Sequence, residues 1–146
     1  MQRGAERTIT GMNDWNQKII EEFRANDGKV GGDFEQLPLL LLHHAGAKSG
    51  VERVNPLAYQ RNGDSLAVFA SKGGAPTNPD WFHNLVANPD ASIEIGTESY
   101  PVTARVATDE ERDRIWTAQK EAFPNFAEYE QSAGTRRIPV VVLDRA

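Results

Sequence analysis

Cysteine is absent from the 146 residues, and aromatic residues make up only 8% of the chain. Without cysteine there can be no thiol nucleophile, zinc–thiolate cage, iron–sulfur cluster or disulfide framework. A long apolar run is also missing. The strongest, Leu37 to Leu42, is interrupted by Pro38 and followed by His43 and His44, far short of the roughly 20 residues a membrane-spanning helix needs. Basic excess is lacking as well: 16 Lys and Arg stand against 21 Asp and Glu, a net charge of -5. No basic tract is available to neutralise phosphates along a polymer, so a nucleic-acid partner is not expected. Met1 to Met12 carries Arg3 and Arg7 but no apolar signal core or small-residue cleavage site. Export is therefore not expected, and the cytoplasm is the expected compartment.

What remains suffices for one core. A chain of this length buries roughly 70% of the surface its unfolded form exposes, so no metal or disulfide staple is needed. Asn13 is placed to cap a helix that carries Trp15, Ile19, Ile20 and Phe23 on one face, with Lys18, Glu21, Glu22 and Arg24 on the other. The helix should end near Asp27-Gly28, and Gly28 to Gly32 reads as a loop. Strands are expected over Leu39 to His44, Arg53 to Gln60 and Ser65 to Ala70, joined by turns at Ala45 to Gly50 and Arg61 to Asp64. Asn78-Pro79 reads as an N-cap with proline at the first helical position, opening a helix through Trp81, Leu85 and Val86. A second hairpin, Ala91 to Ile95 and Tyr100 to Ala107, turns at Gly96-Thr97. Thr108 to Glu111 fits a capping box before a helix with Ile115, Trp116 and Gln119 on one face; Pro124 starts another short helix, and Ile138 to Leu143 reads as a buried strand.

These elements predict a mainly β fold with flanking helices (α+β), a small closed or split β-barrel of about six mostly antiparallel strands. The expected organisation is a single domain over 1–146, with an N-terminal helix and loop (1–32) and a barrel with helices (33–146).

Ser71-Lys72-Gly73-Gly74-Ala75-Pro76 joins the end of a strand to a helix start. Glycines let main-chain amides approach an anion closely, and Lys72 adds a full charge. The order differs from a Walker motif. Lys48-Ser49-Gly50 with Arg53 and Pro56 places one cation on a turn and a second on the adjoining strand, a pair able to clamp an acidic ligand. His43 and His44 are adjacent on a strand and point to opposite faces, and no ligand spacing joins His83 to them, so no metal site is expected. Phe123, Phe126 and Tyr129 recur at helical spacing. Packing accounts for that spacing. If the face lines a pocket, the phenylalanines shape an apolar substrate site and Tyr129 orients a carbonyl or nitro oxygen or gives it a proton. No Ser/His/Asp order or carboxylate pair supports hydrolysis, which points to chemistry carried by an organic cofactor.

Taken together, Lys48-Ser49-Gly50, Arg53, Pro56-Leu57, Ala70-Ser71-Lys72-Gly73-Gly74-Ala75-Pro76, Pro79, Trp81 and Asn84-Leu85 resemble the deazaflavin-dependent nitroreductase family. The likeness runs from about Leu39 through Ile138 to Leu143. It implies an FMN-binding-like split barrel that uses coenzyme F420, an 8-hydroxy-5-deazaflavin, with FMN as the alternative cofactor. It implies hydride transfer from F420H2 to a conjugated acceptor such as a quinone, nitro compound or enone; a non-catalytic deazaflavin-binding protein is the alternative of another class. By the same carry-over, Lys48, Ser49, Arg53, Pro56, Ala70, Ser71, Lys72, Gly73 and Gly74 contact the cofactor. Ala47 stands where the family often has arginine, and Arg137 where it often has an acid. Phe123 and Phe126 stand where characterised nitroreductases tend to have tyrosines, leaving Tyr129 as the hydroxyl of that group and an apolar acceptor pocket. Because a quinone acceptor dissolves in lipid, the N-terminal helix is a candidate for peripheral membrane contact as well as for packing on the barrel. Both monomers and homo-oligomers occur among split barrels.

Overall fold

The computed structural model describes residues 11–29, 38–75 and 77–146, with the side chains of 11–15 outside that description. Helix α1 (Gly11–Ala25) is followed by strands β1 (Leu39–Ala45), β2 (Glu52–Asn62) and β3 (Ser65–Phe69). A single 3-10 turn (Lys72–Gly74) leads to helix α2 (Asp80–Ala87), and the hairpin of β4 (Asp90–Ile95) and β5 (Glu98–Val106) follows. Helices α3 (Asp109–Ala122) and α4 (Asn125–Ser132) precede the last strand, β6 (Val140–Arg145). The strands close into a barrel in the order β1-β2-β3-β6-β5-β4, and every described pairing is antiparallel. This is the expected barrel.

Alternation along the strands divides the apolar residues between two sides of the barrel wall. Leu40 and Leu42 point inward with Leu66, Val68, Ile93, Val102, Val141 and Leu143, and α2 closes that interior with Trp81 and Leu85. Leu39 and Leu41 point outward, where Ile19, Ile20 and Phe23 of α1 cover them. On the far side Ala67, Phe69, Val140 and Val142 are covered by Ile115 and Trp116 of α3 and Phe126 of α4. Strands buried on both faces read as continuous apolar runs, which is why Leu39 to Leu42 and Val140 to Leu143 carry almost no polar residue.

The apolar face of α1 is therefore spent on the barrel. Burial of Ile19, Ile20 and Phe23 is worth about 1.5–3 kcal/mol each as an upper bound. Trp15 and the expected division between 32 and 33 fall outside what the structure describes.

Four local expectations are corrected. Asn13 lies inside α1, which already runs from Gly11, so it is not the cap. Pro79 rather than Asn78 precedes the first residue of α2, because the Asn78 carboxamide oxygen is taken by Arg136 at 2.5 Å. At α3, Thr108 occupies the cap position without a side-chain capping bond. The nearby Glu111 carboxylate is held by Arg105 at 2.8 Å. The last strand begins at Val140, two residues after Ile138; Ile138 is itself buried, and its carbonyl accepts the buried Arg112 Nε–H at 3.0 Å.

Candidate cofactor and acceptor site

Antiparallel order brings the end of β1, the start of β2 and the end of β3 to one end of the barrel. The β2–β3 ladder stops at Tyr59 opposite Val68, so the segments that would continue it, Arg53 to Ala58 and Phe69 to Lys72, face one another unpaired. Pro56 fits that splay. The Tyr59 N–H donates to Pro38 on the β1 side at 3.2 Å, and alternation puts the N–H that Pro56 lacks on the β3 side, where no ladder bond is lost.

One lip of this opening is the turn after β1. The Gly50 N–H donates to the Gly46 carbonyl at 2.9 Å and the Gly46 N–H to Val51 at 3.0 Å, while Ser49 Oγ accepts the Val51 N–H at 3.1 Å. Lys48 is exposed on the turn. A Cβ built on Gly46 would lie 3.7 Å from Arg53 Nε, so the Arg53 guanidinium lies beside the same turn and the two expected cations share this lip. Helix α2 fixes the turn from below. The Ala47 N–H donates to Asn84 Oδ1 at 2.9 Å, and the Asn88 amide reaches the Gly46 carbonyl at 3.4 Å.

The other lip runs from Ala70 to Gly74. Ser71 is right-handed helical (φ -76°, ψ -37°) and Lys72 has φ 49°. This alternation of hand turns successive backbone N–H groups into a concave nest that binds anions. Lys72 is exposed, with Nζ donating to Thr77 Oγ1 at 3.3 Å. Gly74 (φ 84°) serves a different need: a Cβ there would stand 2.7 Å from Ser132 Cβ and 2.8 Å from the Tyr129 carbonyl oxygen. It lets the turn rest on α4.

Sequence reasoning missed what holds this lip. The half-buried Arg136 guanidinium donates to the carbonyls of Ala70 (3.0 Å), Ser71 (2.9 Å) and Ala75 (2.7 and 2.9 Å), and to Asn78 Oδ1. Burial lowers its pKa. In sequence Arg136 carries no signal beyond its position before Arg137, which pairs with Asp113 on α3 at 2.7 Å.

The three aromatic residues separate. Phe126 is 3% exposed and packs edge-on against Phe69 and Trp116, so it belongs to the core and is not a pocket wall. Tyr129 is half-buried on Phe126, its ring centroid 5.2 Å away, and its hydroxyl oxygen accepts the Asn125 amide N–H at 3.1 Å, leaving its own O–H to donate. Phe123 lines a cleft of about 460 Å³ between β2 and α3, with Tyr59, Gln60 and Gln119. Gln60 donates to Gln119 Oε1 at 3.1 Å, and among the described residues the buried Gln119 Nε2 has no partner.

His43 and His44 lie on opposite faces of β1, in register with Val54 and Arg53 of β2. His43 stands between Glu52 (2.6 Å) and Glu94 (2.5 Å), and Glu94, whose pKa is lowered chiefly by its hydrogen bonds with Arg24, is also tied to the end of α1. His44 is buried against Asn55 and Asn84. Among the described residues no three His, Asp or Glu side chains converge as metal ligands.

Two cations on one lip, with a nest, a lysine and a guanidinium on the other, form a donor set suited to an anionic, elongated ligand. The model of the F420H(2)-dependent quinone reductase family matches residues 15–145. An F420H(2)-dependent quinone reductase of Mycobacterium tuberculosis (strain ATCC 25618 / H37Rv) is 41% identical over 126 residues, 84% of this chain and 85% of that protein. A solved F420-H2 dependent reductase is 40% identical with a TM-score of 0.67, covering 73% of this chain and 94% of its own. A second solved structure, a domain-swapped dimer, is 36% identical with a TM-score of 0.68, covering 91% of this chain and 99% of its own. The chain belongs to the F420H(2)-dependent quinone reductase family.

Proposed function

We propose that this protein is an oxidoreductase that binds coenzyme F420 in the opening between β2 and β3 and passes a hydride from F420H2 to a quinone. The observation that carries this reading is the nest at Ser71 and Lys72, set across the splayed hairpin from Lys48 and Arg53. When bound, the deazaflavin supplies a two-electron hydride donor. The protein supplies everything else.

The backbone of Ser71 to Gly73 and the Lys72 ammonium hold a phosphate, while Lys48 and Arg53 receive the acidic tail. Pro56 lies where the chain approaches the ring system, and Ala70, buried in the barrel interior, supports the strand end beside it. The acceptor packs on Phe123, beyond which Tyr129 offers its O–H to a carbonyl oxygen that gains negative charge. Phe126 supports this wall from within the core. An apolar quinone or enone suits these surfaces better than a small polar nitro compound.

Fluorescence titration with oxidised F420 and, separately, FMN tests the reading. Saturable binding of F420 that is weakened about tenfold by Lys72→Ala, followed by oxidation of F420H2 on adding a soluble quinone, is the expected result. Preference for FMN overturns the cofactor, and tight binding without turnover makes the protein a carrier.

Two finer points accompany this reading. A relative that is a domain-swapped dimer supports a homo-oligomer here, to be read from sedimentation at several concentrations. Contact of α1 with a membrane requires Ile19, Ile20 and Phe23 to leave Leu39 and Leu41. Liposome co-sedimentation that is unchanged by deleting residues 1–25 disposes of it.

A further inference from the structure

We infer that Arg136 is the positioning residue of the anion site, shaping the Ser71–Gly73 nest through the carbonyls it holds and supplying the positive charge beneath it. The inference rests on the proposed binding of F420 at that nest, but Arg136 belongs to none of the motifs that point there.

Three observations lead to it. First, the guanidinium draws four contacts from the three carbonyls of Ala70, Ser71 and Ala75 and a fifth from Asn78. Carbonyls pinned on one side of a tight turn leave the N–H groups facing the other. Second, among the described residues no carboxylate pairs with Arg136, whereas Arg24, Arg105, Arg112 and Arg137 each have one. A half-buried cation held only by neutral oxygens is poorly compensated, and an anion in the nest completes it. Third, the rigid planar fork makes five bonds to four acceptors at once. Lysine, a point charge on a flexible stem, keeps the charge but not that geometry.

The test measures affinity for F420 and for inorganic pyrophosphate across a range of salt, in wild type, Arg136→Gln, Arg136→Lys and Asn78→Asp. Arg136→Gln should weaken F420 binding at least tenfold and flatten its salt dependence, with Arg136→Lys intermediate. In turnover the loss should fall on KM for F420H2 rather than on kcat. Arg136→Gln binding within twofold of wild type at every salt concentration overturns the inference. If that variant gives no cooperative melt, Asn78→Asp decides, since it preserves the hydrogen bond while neutralising the cation. A fivefold or larger weakening supports the inference; unchanged affinity overturns it. If wild type ignores F420 but binds pyrophosphate in an Arg136-dependent way, the cofactor assignment fails while the role of Arg136 stands. If it binds neither, both fail.

Discussion

Asn84 Nδ2 stands 3.2 Å from His44 Nδ1, while the oxygen of the same carboxamide accepts the Ala47 N–H. Because Asn84 must donate to His44, Nδ1 is an acceptor; the other ring nitrogen, 2.7 Å from Asn55 Oδ1, carries the proton. His44 is thus a neutral imidazole, and its burial lowers its pKa below the usual 6.5. Through Asn84 this buried ring supports the turn that carries Lys48.

A pH dependence follows. A group whose folded pKa is depressed stabilises the fold fully above its unfolded pKa, and that contribution is lost as pH falls through the folded value. For His44 the loss begins near pH 6.5. Thermal stability should decline from pH 7 toward pH 5.5, before the carboxylates titrate, and the decline should be smaller in His44→Gln. F420 affinity should weaken over the same interval, because protonating Nδ1 breaks the bond to Asn84 and loosens the Lys48 turn. Melting curves and titrations at pH 7.5, 6.5 and 5.5 check both.

Asn84→Leu should separate support from contact. The substitution leaves the Ala47 N–H unpaired and removes the donor to His44, a loss of about 1–3 kcal/mol for buried groups without partners. F420 affinity should fall several-fold although Asn84 lies beneath the binding lip. Chemical denaturation and fluorescence titration of the same variant measure the two effects, and affinity equal to wild type would detach α2 from the site.

The barrel was legible because strands buried on both faces leave a strong apolar signal, and because Gly50, Gly63 and Gly96 mark reversals at positive φ. The cations and glycines of the opening were legible for a related reason, since their residue types announce their chemistry. Long-range hydrogen bonds were not. Arg136 reaches Ala70 across 66 positions, and Asn84 reaches Ala47 across 37. Thr108 precedes its helix as its position predicts, whereas Asn78 does not cap α2, because local capping rules assume a free side chain and a tertiary contact claims that of Asn78.

Gly74→Ala tests the close approach of the turn to α4. The new Cβ meets backbone atoms of Tyr129 at 2.8 and 3.0 Å, and the φ of 84° is itself strained for alanine. A loss of about 2–4 kcal/mol is expected from the combined clash and backbone strain. It should show as a lower Tm together with weaker F420 binding, because α4 and the nest move apart. A stable variant with normal binding would show that the turn yields without cost.

Tyr129→Phe bears on the acceptor. With Asn125 donating to its hydroxyl oxygen, the Tyr129 O–H is left to donate, and its ring packs on Phe126. Removing the hydroxyl should leave F420 affinity intact and lower kcat with a quinone by about tenfold, the equivalent of one hydrogen bond made to the developing oxyanion. The ring remains to pack on Phe126, so the Tm should hold. Turnover and pH dependence equal to wild type would remove Tyr129 from the mechanism and leave the Phe123 cleft to place the acceptor by shape.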